Sequence, residues 1–231
     1  MTQLLQTVML YGERKTGKTT FALSAPKPMV VLDFELGIDG VEKRYIQDED
    51  KITVHSLVSQ AVIDKRKNLT VAKEFWKEIQ EIYNDALEDP GVASIVLDTG
   101  SSVWDACRHC YLAELKEKEP SRVQLTPVEY TEPNRRMKNF IIQSRLHNKV
   151  LVITHHTKEE YVKNEPTGNY TWDGFKHAGD LCDVVLYFRK KDRKPYVMVE
   201  DCRLSMMAEG LEREAPTYQS IQAEIETFRN L

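Results

Sequence analysis

The sequence predicts an α/β fold with a mostly parallel, twisted sheet flanked by helices. Two observations lead to this class. Short apolar runs rich in β-branched residues alternate along the chain with longer segments of helical periodicity. The first of these runs also leads into a glycine-containing loop that opens a helix. At 231 residues the chain can build one full core, so we expect a single domain over 1–231, with its core at about 6–205.

The predicted elements follow one another in a regular order. Strands are predicted at 7–11, 29–34, 92–98, 149–155, 182–188 and 195–203. Helices are predicted at 17–24, 70–88, about 104–118, 135–147 and about 216–231, with Thr70 as the N-cap of the second. The last two strands flank the turn RKKDRK (189–194) and predict an antiparallel hairpin. Residues 157–180 lack periodicity and are expected to form a long loop.

A phosphate-binding motif follows the first strand. The stretch GERKTGKT (12–19) matches G-x-x-x-x-G-K-S/T at each fixed position. In such a loop, backbone N–H groups and a helix N-terminus face phosphate oxygens, Lys18 reaches the β- and γ-phosphates, and Thr19 offers its hydroxyl to Mg²⁺. We therefore expect ATP and Mg²⁺ as cofactors. The predicted nucleotide-binding residues are Gly12, Glu13, Arg14, Lys15, Thr16, Gly17, Lys18, Thr19 and Thr20.

Two acidic residues end or follow other apolar strands. Asp98 ends the run SIVLD and suits a magnesium ligand; the alternative is a cap on the next helix. Thr99 follows it, at the place where many motor ATPases carry their catalytic Glu. The carboxyl ends of neighbouring parallel strands meet at one edge of the sheet, so Glu35, just beyond the strand 29–34, is the candidate general base.

Composition limits the other classes of function. The net charge of −4 excludes a basic coat over the whole chain, although a local basic face stays open. No apolar run approaches the roughly 18 residues of a membrane span, so we expect no membrane partner and a cytoplasmic protein. Four cysteines are present, and the pair in CRHC lacks a second cluster to complete a zinc site. A buried helix face explains that spacing better.

Several segments resemble those of RecA-type recombinases. LDFELGID (32–39) resembles the segment that carries their catalytic Glu, VASIVLDTGSSV their Walker B strand, and VLVITHHT the strand that ends in their γ-phosphate-sensing residue. In size the chain is similar to the short, RecA-core-only ATPases of phages, some of which are associated with single-strand annealing and recombination. The resemblance covers about residues 6–205 and implies a RecA-like core with a C-terminal antiparallel hairpin. It assigns phosphate and metal binding to Lys18 and Thr19, the base to Glu35 and magnesium to Asp98.

The resemblance also implies two further catalytic positions. His155 or His156 takes the sensor position, where the family usually has Gln; a polar strand exit is the alternative. An imidazole can hydrogen-bond a phosphate as an amide does. Arg203 corresponds to cations that reach the nucleotide of a neighbouring subunit, and an ordinary surface Arg is the alternative. The predicted catalytic residues are thus Lys18, Glu35, His155, His156 and Arg203.

The segment 157–180 corresponds to a mobile DNA-contacting loop of the resembled family. It interleaves cations with aromatic rings, a pattern that suits single-stranded DNA, but Glu159 and Glu160 oppose this reading. A lid over the nucleotide, or rings packed on the core, are the alternatives. The turn RKKDRK adds a local positive charge that suits a phosphate-contacting edge; an ordinary solvated hairpin tip is the alternative. The predicted nucleic-acid contacts are Lys158, Lys163, Tyr170, Trp172, Lys176, Arg189, Lys190 and Lys191.

Three functions are compatible with these features. The leading hypothesis is a Mg²⁺-dependent, RecA-like ATPase that acts on single-stranded DNA in recombination, annealing or replication. It is expected to work as a homo-oligomer, with a single-strand-binding or replication protein as a further partner, in the host cytoplasm if it is encoded by a phage. The second is a nucleotide-dependent switch or loader that recruits replication proteins without binding DNA. The third is a small-molecule kinase, although the long loop offers no Arg for a phosphate lid.

Overall fold

The computed structural model describes residues 5–38, 41, 51–57, 69–162 and 165–230. The strands are β1 (Thr7–Gly12), β2 (Met29–Asp33), β3 (Ile52–Ser56), β4 (Ser94–Asp98), β5 (Val150–Val162), β6 (Glu165–Asp173), β7 (Val184–Lys191), β8 (Lys194–Cys202) and β9 (Glu212–Glu214). The helices are α1 (Lys18–Ala22), α2 (Leu69–Glu88), α3 (Gly100–Lys118), α4 (Thr131–Leu146) and α5 (Tyr218–Arg229). No helix within these ranges is long and apolar enough to cross a membrane.

The strands form a sheet in the order β3-β2-β4-β5-β1-β7-β8-β9. The pairs from β3 through β7 are parallel, whereas β7–β8 and β8–β9 are antiparallel. The strand β6 lies off this path and pairs with the distal part of β5. The predicted class, a mostly parallel sheet with an antiparallel C-terminal hairpin, is confirmed.

Helices cover both faces of the sheet. Met9 and Tyr11 point into the core beneath α2, α3 and α4, and Val8 and Leu10 point into the core that α1 and α5 cover. This alternation is the period-2 geometry of a strand. Because both faces of the sheet are buried, the central strands consist mainly of apolar residues. These continuous apolar runs are the reason the strands could be predicted from the sequence.

Several predicted boundaries move. Helix α3 begins at Gly100 because the Thr99 side chain accepts a hydrogen bond from the Ser102 N–H and caps it. Thr70 is not an N-cap, since α2 already begins at Leu69. The edge strands β3 and β9 were not predicted; β3 is mostly exposed and β9 has only three residues, so neither carries a clear hydrophobic signal.

The predicted long loop at 157–180 is wrong. Residues 156–162 of β5 and 165–173 of β6 pair as an antiparallel two-stranded ribbon, here called the β5–β6 ribbon. Most of its side chains are exposed, so no apolar face alternated to indicate strands. Lys163 lies outside the described residues.

The predicted turn 189–194 is shorter than expected. Residues 189–191 continue β7, and only Asp192 and Arg193 form the turn. Both have positive φ, 51° and 65°, as a two-residue hairpin turn that matches strand twist requires. The residues 189–194 are called the hairpin tip below.

A buried carboxylate joins three elements at the amino edge of the sheet. Asp183 is 3% exposed and accepts hydrogen bonds from the backbone N–H groups of Gln6 and Thr7, both at 2.9 Å. It also pairs with Arg145 at 2.9 Å and with Arg203. The carboxylate thereby ties the start of β1, the start of β7 and the end of α4 together.

Replacing Asp183 with Ala should lower the free energy of unfolding by about 3 kcal/mol or more. The change leaves the half-buried guanidinium of Arg145 and two backbone N–H groups without their acceptor. Urea unfolding followed by circular dichroism measures the change. Asp201→Ala, at an exposed position of β8, is the control and should change stability by less than about 0.5 kcal/mol. Equal stabilities of the two variants would contradict the role of Asp183.

Candidate nucleotide-binding site

The motif at 12–19 forms a loop between β1 and α1. A Cβ on Gly12 would lie 2.0 Å from the Phe188 carbonyl oxygen, so only glycine lets β1 approach β7 this closely. Gly17 adopts φ 96° immediately before the helix. The nine predicted nucleotide-binding residues, 12–20, therefore run from the last residue of β1 through one loop into the first turn of α1.

Lys18 lies over this loop. Its Nζ donates hydrogen bonds to the carbonyl oxygens of Gly12 at 2.8 Å and Glu13 at 2.7 Å. Burial lowers the pKa of Lys18 to about 8, although the nearby carboxylates oppose the shift. The ammonium group is held by neutral carbonyls at a place where anionic oxygens would stabilise its charge far better.

Asp98, at the end of β4, accepts hydrogen bonds from two hydroxyl groups. Thr19 Oγ1 donates to Oδ2 at 2.8 Å, and Thr154 Oγ1 donates to Oδ1 at 2.5 Å. Burial raises the pKa of Asp98, while these two hydrogen bonds oppose the rise. The contact between Thr19 and Asp98 joins the two predicted metal residues, and hydroxyl and carboxylate oxygens are ligands that suit Mg²⁺. Thr154 was not predicted; its signal is a polar residue within an apolar, buried strand.

Glu35 lies on the same rim of the sheet as Asp98. In the pairing of β2 with β4, Asp33 stands opposite Asp98, and Glu35 follows two residues later. The imidazole Nε2–H of His156 donates to Glu35 Oε1 at 2.6 Å. This hydrogen bond is the main cause that lowers the pKa of Glu35, and Arg14 contributes through its charge.

The two candidate sensor residues have different surroundings. His155 is 1% exposed, donates through Nδ1–H to the Asp173 carbonyl at 3.0 Å, and is enclosed between Gly100 and Gly174. Burial lowers the pKa of His155 to about 4, so its ring is neutral. Of the pair, only His156 contacts Glu35. His155 stands opposite Tyr11 in the register of β1 and β5, at the level of the rim, but its ring is buried and its Nε2 has no partner among the described residues. Which of the two histidines acts as the sensor stays a prediction.

Arg203 lies at the opposite edge of the sheet. It follows β8 and pairs with Asp183, next to the start of β7, whereas the phosphate loop touches β7 near its far end at Phe188. The structure therefore does not bring Arg203 to the phosphate loop of its own chain. A contact with the nucleotide of a neighbouring subunit stays a prediction.

The predicted nucleic-acid residues are not equivalent. Trp172 is not an exposed stacking ring: it packs edge-on against Tyr11 at 5.9 Å and donates its Nε1–H to the Phe175 carbonyl at 3.1 Å. Tyr170, in contrast, is 63% exposed on the β5–β6 ribbon. Lys158 pairs with the ribbon residue Asp173 at 3.3 Å. Lys176 is exposed just beyond the ribbon.

The hairpin tip holds the remaining predicted cations. Arg189 pairs with Glu212, and Lys191 lies over the Tyr196 ring at 5.6 Å from its centroid. Lys190 is exposed. Because β5 and β7 are the two neighbours of β1 and both extend past its end, the ribbon and the hairpin tip flank the phosphate loop.

Comparison with known proteins places this geometry in a family. A family model described as an AAA domain (AAA_24) matches residues 5–206. The structure is similar to the crystal structure of the RadB recombinase, with a TM-score of 0.56, 15% identity, and coverage of 90% of this chain and 86% of that one. A KaiC-like protein, PH0186 of the archaeon Pyrococcus horikoshii OT3, gives a TM-score of 0.49 at 14% identity, over 90% of this chain and 84% of that one.

No curated protein sequence matches the chain. The family match nevertheless covers most of it, and the likeness to RadB, at this identity, concerns the fold. Both agree with the sheet order and with the loop that β1 and α1 carry. The chain therefore belongs to the AAA domain family and has the fold of a RecA-like P-loop ATPase.

Proposed function

We propose that this chain is a Mg²⁺-dependent ATPase that acts on single-stranded DNA as a homo-oligomer, in recombination, annealing or replication. The observation that carries the ATPase proposal is the shared rim of the sheet. Thr19, Asp98 and Glu35 lie beside one phosphate-loop motif, and two of them are joined by a direct hydrogen bond. The proposed origin of the chain in a phage rests on its resemblance to short phage ATPases.

The residues present fit a magnesium–nucleotide complex. The N–H groups of the phosphate loop and the Lys18 ammonium would hold the phosphates, and Thr19 and Asp98 would hold Mg²⁺. When bound, Mg²⁺ supplies charge that stabilises the phosphate oxygens. Breaking the Lys18 bonds to the Gly12 and Glu13 carbonyls would free its ammonium group for this contact.

Glu35 would take the proton of the attacking water at its carboxylate. Its lowered pKa keeps it ionised at neutral pH, so it is always ready to accept a proton, but a lower pKa also makes a weaker base. The Nε2–H of His156 fixes the orientation of Oε1 at the same time. His156 thus holds Glu35 in place and at the same time makes Glu35 a weaker base. A weaker hydrogen bond from His156 would make Glu35 more basic.

The hairpin tip is the part proposed to contact the DNA phosphates. Lys190 and Arg193 are exposed there, and Lys191 lies over the Tyr196 ring, with no carboxylate of the described residues paired to it. The β5–β6 ribbon suits phosphates poorly, because Glu159, Glu160, Glu165 and Asp173 outnumber Lys158 among its described residues. Tyr170 is the ribbon ring exposed enough to stack on a base.

The acidic ribbon also supports the alternative of a nucleotide-dependent switch or loader. Tyr161, Val162 and Tyr170 are each more than half exposed on it. Isolated two-stranded ribbons are marginally stable in water, so a covering partner would stabilise this one. An acidic surface with exposed rings fits a basic protein, and that partner could be a replication protein.

Replacing Glu35 with Gln should lower kcat for ATP hydrolysis by about 100-fold or more, because it removes the proton acceptor. The affinity for MgATP should change less than about twofold, since the phosphate loop is untouched. Phosphate release and fluorescent-nucleotide binding measure the two quantities. Glu117→Gln, at an exposed ion pair on α3, is the control. A Glu35→Gln variant that retains a third or more of the wild-type kcat would contradict the assignment.

The pKa of Lys18 predicts a pH dependence of ATP binding. Because burial lowers the pKa of Lys18 to about 8 in the free protein and phosphate requires the ammonium charged, the Kd for ATP should rise about 25-fold between pH 7.5 and pH 9.5. Calorimetry at pH 8 in two buffers should show proton uptake on binding. Lys18→Arg stays charged throughout and should abolish the uptake. A wild-type Kd that is constant over this range would refute the expectation.

Replacing both Lys190 and Lys191 with Glu should abolish the binding of single-stranded DNA at low salt. It should also abolish the stimulation of ATP hydrolysis by that DNA. Each lost phosphate contact should reduce the slope of log K against log salt by about 0.7. Lys73→Glu with Lys77→Glu, on α2, gives the same charge change away from the site. If the wild-type protein neither binds DNA nor hydrolyses ATP faster with it, the loader alternative is favoured.

A further inference from the structure

A second buried carboxylate stands beside the proposed metal ligand. Asp33, the last residue of β2, is 2% exposed and accepts three backbone N–H groups. Those of Glu35 and Gly37 donate to Oδ1 at 3.1 and 3.2 Å, and that of Ile38 donates to Oδ2 at 3.2 Å. All three donors belong to the loop 34–38, so the carboxylate serves as the centre about which this loop folds.

The loop 34–38 needs such a centre. Leu36 adopts φ 54°, a left-handed conformation that costs a non-glycine residue about 1 kcal/mol, and its side chain is 55% exposed. The two ends are anchored on opposite faces of the sheet, Phe34 in one core and Ile38 in the other. The hydrogen bonds to Asp33 hold the backbone between these anchors in its strained shape.

Asp33 and Asp98 stand opposite each other in the register of β2 and β4 but have different partners. Asp98 receives the side-chain hydroxyls of Thr19 and Thr154. Within the described part of the chain, the donors to Asp33 are backbone N–H groups, and they lie on both of its oxygens. Both oxygens of Asp33 are therefore engaged by the loop, whereas Asp98 contacts side-chain hydroxyls, one of which, that of Thr19, belongs to the other proposed metal ligand.

We propose that Asp33 is a positioning residue that acts through the loop backbone to set the carboxylate of Glu35 at the rim of the site. The inference rests on the proposed function, in which Glu35 is the general base. The Glu35 N–H is itself one of the three donors, so a shift of the Asp33 carboxylate moves the Cα from which the base extends. A misplacement of about 1 Å can cost up to about 100-fold in rate.

Asp33→Asn tests this with little change of volume. The amide keeps one acceptor oxygen but presents an NH₂ group in place of the other, so at least one loop N–H faces a donor. We expect kcat to fall about 10- to 100-fold, with the affinity for MgATP within about twofold. In a Glu35→Gln background the same change should have no further effect on kcat, because Asp33 acts only through that side chain.

Asp183→Asn is the matched control. Asp183 is equally buried and also accepts two backbone N–H groups, but at the opposite edge of the sheet. It should lower the melting temperature, and any change of kcat that follows from its pairing with Arg203 should be by the same factor in the wild-type and the Glu35→Gln backgrounds, because Asp183 does not act through Glu35. Leu36→Gly is a second test that does not risk the fold, since glycine accepts the left-handed φ. Its kcat should stay within about threefold of wild type while Asp33 holds the loop.

Four results would overturn the inference: a kcat of Asp33→Asn within twofold of wild type, a further loss of rate in the Glu35→Gln background, recovery of the rate at high Mg²⁺, or a Leu36→Gly variant as slow as Glu35→Gln. Recovery at high Mg²⁺ would indicate a metal ligand instead. Failure of the proposed function looks different, because Glu35→Gln alone would then retain its rate.

Discussion

Parallel pairing in one register is the constraint on which the candidate site depends. It aligns the ends of β2 and β4 beside Thr154 of β5 and places Asp33 directly opposite Asp98. The strand β1 reaches the same edge through its pairing with β5. Its last residue, Gly12, lacks a side chain and can therefore pack closely against β7. A one-residue slip in any of these pairs would turn an acid of the rim into the core or away from its partner.

This alignment concentrates negative charge. Asp33, Glu35 and Asp98 lie near one another in a partly buried setting, and the charges of the first two add to the burial that raises the pKa of Asp98. The chain offsets this charge locally with hydrogen-bond donors: backbone N–H groups for Asp33, an imidazole for Glu35 and two hydroxyls for Asp98. Lys18 is drawn by the same field, since the charges of Asp98 and Glu35 oppose the lowering of its pKa. A site of this kind favours a bound cation, which agrees with the proposed role of Mg²⁺.

The sequence was informative where burial on both faces or a fixed motif left one solution. The apolar runs of β1, β2 and β4 and the glycine spacing of 12–17 predicted the parallel core and the position of its loop. It was uninformative where the outcome depends on long-range register. Adjacent residues of a strand point to opposite faces, so His155 and His156 could not be told apart until the sheet fixed which one meets Glu35.

Other misses have equally local causes. The β5–β6 ribbon is exposed on both sides, so it lacks the apolar alternation that indicates strands. Trp172 in that segment looked like a free ring because its partner, Tyr11, lies far away in the sequence. The hydrogen bonds of Asp33 could not be foreseen either, since they depend on how the backbone turns after β2.

Tyr11 connects the phosphate loop to both of the extensions that flank it. It immediately precedes Gly12, and its ring contacts Trp172 at the root of the ribbon and Tyr187 of β7, at 5.9 and 5.0 Å. Its hydroxyl donates to Glu200 Oε1 of β8 at 2.5 Å. At the other side of the ribbon root, His156 reaches Glu35. These contacts join the ribbon root to the phosphate loop on one side and to the candidate base on the other, so the packing of the ribbon and the geometry of the site depend on the same side chains.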